Sequence, residues 1–179
     1  MYKDDREILD LLRRDESRNE GFLMLVNKYQ RKLYHHIRRL VISHDDTDDV
    51  LQNTFIKVWT GIAGFREDSQ LFTWLYRIAT NEALSFLKRS KKDRYVPLET
   101  MKNAVPAGIT EGPSGDEISM RLLAAVKQLP PKQQAVFNMK YFDGLKYEEI
   151  SGIMKTSVGA LKASYHHAIK KIETELGEI

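Results

Sequence analysis

The strongest constraint on this chain is a run of apolar residues spaced three or four apart: Phe22, Leu25, Val26, Tyr29, Leu33, Ile37 and Leu40. That spacing gathers them on one side of an α-helix and would scatter them over both faces of a strand, so it predicts one long amphipathic helix. The period recurs on either side. Ile8, Leu9, Leu11 and Leu12 mark a shorter helix before it. After a break at Ser43 and His44, Leu51, Thr54, Phe55, Val58 and Ile62 mark a third that closes over Gly61 to Gly64. Leu71, Leu75, Ile78, Ala79 and Phe86 mark a fourth that runs out in Lys88-Arg89-Ser90-Lys91-Lys92. Four helices with short connections predict a compact bundle.

From about Arg94 the period vanishes into a stretch holding Pro97, Pro106, Gly108, Gly112, Pro113, Ser114 and Gly115, the composition of a linker. Helical spacing returns with Ile118, Leu122, Ala125, Val126 and Leu129 and stops at Pro130-Pro131, where the second proline suits the first position of a new helix. That helix carries Val136, Phe137 and Tyr141 and ends at the turn pair Asp143-Gly144. No strand-like alternation and no repeat stands out. The expected fold is all-α, with two small helical domains at 1–93 and 118–179 joined by a flexible linker at 94–117.

Composition narrows the function classes. The 28 Lys and Arg against 25 Asp and Glu leave a net charge of +3 over 179 residues, too little for indiscriminate polyanion binding, so local patches must decide. With no cysteine, a disulfide framework and any thiolate metal site are excluded, and a reducing compartment fits. The N-terminal residues read as a mixed-charge helix rather than a signal segment, and no stretch reaches membrane-spanning length. A cytoplasmic protein without membrane insertion is expected.

The most informative tract runs from Tyr147-Glu148-Glu149-Ile150-Ser151 to Lys170-Lys171. It has the outline of a helix-turn-helix, whose second helix enters the DNA major groove. Ile150 and Met154 on the first helix are expected to meet Leu161, Tyr165, Ala168, Ile169 and Ile172 on the second, with small Ser151 where they cross. Ser157 is placed as the N-cap of the second helix, whose N-terminus faces DNA. Lys162, Ala163, His166, His167 and Lys170 fall on the opposite surface, where Lys162 can donate to guanine and Lys170 to phosphate. The same lysines on an ordinary helical hairpin would only solvate it.

In the first domain, aromatic and basic residues alternate around the loop Gly64-Phe65-Arg66-Glu67-Asp68 and the helix Phe72-Thr73-Trp74-Leu75-Tyr76-Arg77. Aromatic faces stack on unpaired bases while cations track the backbone. Phe65, Arg66, Asp68, Trp74, Arg77, Thr80 and Asn81 are the candidates for a single strand. Trp74 lies on the apolar stripe, so its spacing favours core, whereas Arg77, Thr80 and Asn81 lie off it.

Both tracts, in this order and with this linker, resemble the extracytoplasmic-function (ECF) sigma factors of bacterial RNA polymerase over nearly the whole chain. The phrases that carry the resemblance are Asp49-Val50-Leu51-Gln52-Asn53-Thr54-Phe55, then Phe72-Thr73-Trp74-Leu75-Tyr76-Arg77-Ile78-Ala79 with Asn81, and Leu129-Pro130-Pro131-Lys132-Gln133. The resemblance implies a region 2 bundle that docks on the clamp of the largest polymerase subunit through Asp48, Asp49, Gln52, Asn53, Phe55 and Lys57. It implies that the loop from Ala63 to Leu71 captures a flipped base of the melted −10 element, at a few kcal/mol of lost stacking. It implies a region 4 helix-turn-helix that reads the −35 element as duplex, a linker threaded through the polymerase channels, a flap contact and an anti-sigma partner. No cofactor or catalysis is implied.

Three positions depart from the common pattern: Lys155 stands where many relatives have glycine, and Ser164 and His167 stand where they have arginine. Two fewer cations on the reading helix imply weak, shallowly salt-dependent binding by the isolated domain. Tyr165-His166-His167 with Ala163-Ser164 looks like the Bacteroidetes variant of the family. Rival functions fit less well. Asp45, Asp46, Asp48 and Asp49 suit the positive end of a helix dipole rather than a metal, and His35-His36 point to different sides of a helix. No zinc spacing, phosphate loop or nucleophile elbow is present. A stand-alone helix-turn-helix regulator and a helical adaptor remain as alternatives, separable by whether promoter binding needs polymerase.

Overall fold

The computed structural model describes residues 4–93 and 115–177. The linker expected over 94–117 lies largely outside the described residues; its last three positions begin a helix. The elements are α1 (Asp5–Leu12), a 3-10 turn (Asp15–Ser17), α2 (Arg18–Val41), α3 (His44–Gly61), a 3-10 turn (Ile62–Gly64), α4 (Leu71–Asp93), α5 (Gly115–Lys127), α6 (Pro131–Tyr141), α7 (Tyr147–Met154) and α8 (Val158–Gly177). All regular structure among the described residues is helical.

The first unit is built around α2, which buries Gly21, Leu25, Tyr29, Leu33, Ile37 and Leu40 along one stripe. α1 lies across its start because Gly21 has no side chain: a Cβ there would stand 2.9 Å from both Leu11 Cβ and the Leu12 backbone nitrogen. The crossing is fastened by the Asp5 carboxylate, which accepts from Tyr29 Oη at 2.7 Å and Lys28 Nζ at 2.8 Å. α3 starts where Ser43 Oγ accepts from the Asp46 amide, with Asp45 and Asp46 in its first turn stabilised by the helix dipole. Thr47, Val50, Thr54 and Val58 then face α2, and Leu71, Leu75, Ala79 and Ala83 of α4 close the bundle.

In the second unit, Pro131 opens α6, and Gly144, at φ +66°, makes the left-handed turn that leads to α7. α6 departs from the sequence expectation of a one-faced helix. Gln134 through Met139 are all buried, because one side packs on α8 while the other packs on α2 and α4 of the first unit. Phe137 is enclosed, stacked on Tyr165 at 5.8 Å, whereas Tyr141 is half exposed. The apolar core is consequently continuous from the first unit into Ala135, Val136, Met139, Ile150 and Ile153, while Ala125, Val126, Leu129, Phe137, Ala168 and Ile172 form a second cluster.

Candidate nucleic-acid interface

α7 begins with the Lys146 amide donating to Glu149 Oε2 at 2.7 Å, and ends at Lys155 in the left-handed region (φ 52°, ψ 44°). A side chain in that conformation costs roughly 1–2 kcal/mol relative to glycine, which gives a physical reason for glycine in this turn and leaves a lysine strained here. Thr156 Oγ1 donates to the Met154 carbonyl at 3.2 Å. Ser157 then caps α8, its Oγ accepting from the Ala160 amide at 3.3 Å and its carbonyl from the Leu161 amide at 3.0 Å.

Packing between the two helices follows the expected stripe only in part. Ala168 and Ile172, expected to meet the first helix, are buried with Ala125, Val126, Leu129 and Phe137 of the preceding elements, whereas Leu161 is enclosed with Ile150 and Ile153, and Met154 is half-buried. Position 153 lies three residues after Ile150, so either could have continued the stripe.

On the outer side, Ser157, Lys162, Ala163, His166, His167 and Lys170 are all exposed. Lys162 Nζ lies 5.8 Å from the centre of the Tyr147 ring, whose other neighbour is Lys140 Nζ at 5.0 Å. No carboxylate occurs between Glu149 and Glu173, while Lys155, Lys162, Lys170 and Lys171 do. An unopposed cationic row along an exposed, capped helix can follow a phosphate backbone while the side chains of Ala163 and His166 approach base edges. Tyr165 is half-buried against Tyr147, and burial pushes its phenol above the ordinary value.

The candidate single-strand residues divide into three groups. Arg66, Asp68 and Asn81 are exposed. Phe65 and Trp74 are half-buried on each other, with ring centres 5.1 Å apart, and Trp74 rests over Gly61. Arg77 is half-buried against the second unit, and Thr80 is buried within the first. Arg77 Nε and Nη2 donate to the Gly152 carbonyl at 3.1 and 2.8 Å. Thr80, expected off the apolar stripe, is 1% exposed: its hydroxyl donates to the Tyr76 carbonyl at 2.7 Å and meets His36 Nε2 at 2.8 Å.

Sequence reasoning missed the part that the junction of α1 and α2 plays beside the loop. Arg13 pairs with Glu67, which takes a left-handed φ of 59°. Arg18 covers the Trp59 ring at 4.5 Å and donates to the Trp59 carbonyl. With Leu9, Leu12, Asp15, Ala63 and Phe65 they line a cleft of about 190 Å³ beside the loop. Only the arginines' position before the long helix hinted at this.

Of the six docking candidates, Asp48, Asp49, Gln52, Asn53 and Lys57 are exposed on α3. Asp49, Gln52 and Asn53 border a shallow cleft with Phe86, Arg89 and Ser90 of α4, and Lys57 pairs with Glu82. Phe55 turns the other way, half-buried edge-on to Phe22 at 6.3 Å. Among the described residues no acidic or histidine cluster could hold a metal, and no helix is long and apolar enough to cross a membrane.

A helical bundle with an aromatic and cationic loop, packed with a helix-turn-helix that presents a cationic row, has the build of a two-domain DNA-binding protein. Residues 25–93 match the Sigma-70 region 2 family and residues 119–172 the Sigma-70 region 4 family. RNA polymerase sigma-H factor of Pseudomonas aeruginosa is 31% identical over 186 residues, spanning 96% of this chain and 93% of that protein. ECF RNA polymerase sigma-E factor of Escherichia coli is 30% identical over 167 residues, spanning 88% and 87%. The structure of CnrH in complex with the cytosolic domain of CnrY superimposes with a TM-score of 0.70 over 97% of both chains at 19% identity. That of sigma factor RpoE in complex with the anti-sigma factor NepR from Bartonella quintana gives 0.66 over 88% of this chain and 98% of that one, also at 19% identity. The chain belongs to the ECF branch of the sigma-70 family.

Proposed function

We propose that this chain binds core RNA polymerase in the cytoplasm and directs it to promoters, with no catalytic step or cofactor of its own. Units at 1–93 and 118–179, joined by a linker over 94–117, divide the work. Asp48, Asp49, Gln52, Asn53 and Lys57 on α3 meet the clamp of the largest polymerase subunit, with Phe55 supporting that helix from its inner side, and the second unit meets the flap. Lys162, Ala163, His166 and His167 read the distal element as duplex, with Ser157 and Lys170 near phosphate. Phe65, Arg66, Asp68, Trp74, Arg77 and Asn81 mark the surface that takes the melted strand, with buried Thr80 supporting α4 from behind. An anti-sigma protein covering these faces is the natural inhibitor, in keeping with the complex of RpoE from Bartonella quintana with the anti-sigma factor NepR. The likeness of Tyr165-His166-His167 with Ala163-Ser164 to the Bacteroidetes variant supports a source in that group.

The observation that carries this reading is the exposed row on α8, free of carboxylates, on a helix whose other side is fully used in packing. The decisive variant is Lys162→Glu. It should abolish run-off transcription from the cognate promoter while co-eluting with core polymerase as the parent does; loss of both would show that α8 is not a separate reading element.

A further inference from the structure

The loop between α3 and α4 is tied to the start of the chain at a single polar point. Glu67, in the middle of the loop, takes a φ of 59°, a left-handed conformation that disfavours any residue bearing a Cβ. Its carboxylate pairs with Arg13, 54 residues earlier, and among the described residues this is the one side-chain hydrogen bond or ion pair that residues 65–70 make. Arg13 stands on a fixed base. It caps the C-terminus of α1, its amide donating to the Leu9 carbonyl at 3.1 Å, and Asp10 Oδ1 lies 3.8 Å from its Nη1. α1 is in turn fastened to α2 by Asp5 with Tyr29 and Lys28. The inner side of the loop rests on rings, Phe65 on Trp74 at 5.1 Å and Trp74 over Gly61. Between these two supports the loop carries Arg66, Glu67 and Asp68, so an unpaired Glu67 would leave it with a net negative charge toward any phosphate.

We propose that Arg13 is a positioning residue for strand capture: its guanidinium holds Glu67, and through it the left-handed turn of the loop, in the shape that presents Phe65 and Arg66 to an unpaired base. Arg13 acts through Glu67 and does not touch the strand. It does two things at once. It fixes a backbone conformation that Glu67 would otherwise leave, and it neutralises a carboxylate beside the path of the phosphates. Both side chains are about half exposed, at 59% and 44%, so the pair is of the modest, salt-screened kind. A tether of that strength suits a loop that must adjust to its base. The proposal rests on the reading of this loop as the element that captures the melted strand.

The test uses core polymerase reconstituted with the full chain and a fluorescein-labelled single strand from a promoter that the parent opens. The strand is either intact or carries an abasic site at the position where that lesion weakens the parent most. Arg13→Ala should weaken binding of the intact strand about two- to fivefold at low salt, the range of an exposed ion pair, and leave binding of the abasic strand unchanged. The loss should shrink as salt is raised. In a Glu67→Gln background, where the pair is already gone, Arg13→Ala should bring no further loss. Equal weakening of the intact and abasic strands would show that Arg13 meets the backbone itself, and an undiminished loss in the Glu67→Gln background would show that it does not act through Glu67. Either result overturns the proposal, as does an unchanged affinity in Arg13→Ala. If no abasic position weakens binding by the parent, the loop captures no base and the functional reading beneath the proposal has failed, a result distinct from all of these.

Discussion

Ser157 stands at the meeting point of fold and function, and two substitutions separate its roles. Its hydroxyl accepts from the Ala160 amide, and the N-terminus it caps points outward at the exposed face of α8. Ser157→Ala removes the acceptor and should cost about 1 kcal/mol of stability, a fall in Tm of roughly 2–4 °C for a chain of this size. A loss that small leaves nearly every molecule folded, so promoter affinity should change by less than about twofold. Ser157→Asp keeps a capping oxygen and adds a charge that the helix dipole favours by about 0.3–1 kcal/mol, so Tm should hold or rise. Promoter binding should nevertheless suffer. In water, a carboxylate repels each phosphate at roughly 7 Å by about 0.6 kcal/mol, and two such phosphates reduce affinity roughly eightfold. Thermal melts followed by circular dichroism and polymerase-dependent promoter binding at fixed salt measure the two effects. If Ala weakens binding as much as Asp does, the hydroxyl touches DNA and is not merely a cap; if Asp melts as early as Ala, the capping bond is not what positions α8.

Gly21→Ala ought to destabilise the first unit even though alanine is favoured over glycine by about 1 kcal/mol inside a helix. The added methyl would stand 2.9 Å from the Leu12 backbone, and overpacking of that kind costs about 1–3 kcal/mol, measurable as a lower urea midpoint. Alkali should expose two buried phenols. Burial foremost, then the hydrogen bond to Asp5, raises Tyr29 far above the ordinary tyrosine value, and burial foremost, then the Asp143 charge, raises Tyr76. Because the fold favours their protonated forms, their contribution is complete below the unfolded value of about 10 and is lost as pH climbs above it. Urea midpoints should fall over that range while these phenols ionise only on unfolding. A fold that keeps its midpoint while all the tyrosines titrate together would contradict the burial argument.

Much of this architecture was legible because each helix writes its buried side at a spacing of three or four. The stripe from Leu25 to Leu40, the cap at Ser157, the proline opening α6 and the exposed row from Lys162 to Lys170 all follow from local chemistry. What stayed hidden is the contact between the units. Polar residues make it, and their partners lie far away in sequence: Arg39 with Asp143, Gln134 with the Arg39 carbonyl, Arg77 with the Gly152 carbonyl. Periodicity cannot reveal a second buried side composed of Gln134 and Asn138. Thr80 looked available and is enclosed on His36, which was read only as lying on a different side of its helix from His35 and is itself in the core. The left-handed backbone at Lys155 was foreshadowed only by the glycine that relatives carry there.

The central claim is that this chain selects transcription start sites for RNA polymerase. Sequencing the 5′ ends of RNA made in vitro from genomic DNA by core polymerase, with and without the protein, tests it most directly. A discrete set of new starts should arise only with the protein, each preceded by the same two short motifs at a fixed separation, and the set should vanish with Lys162→Glu. An unchanged pattern of starts would contradict it, as would new starts that share no upstream motif.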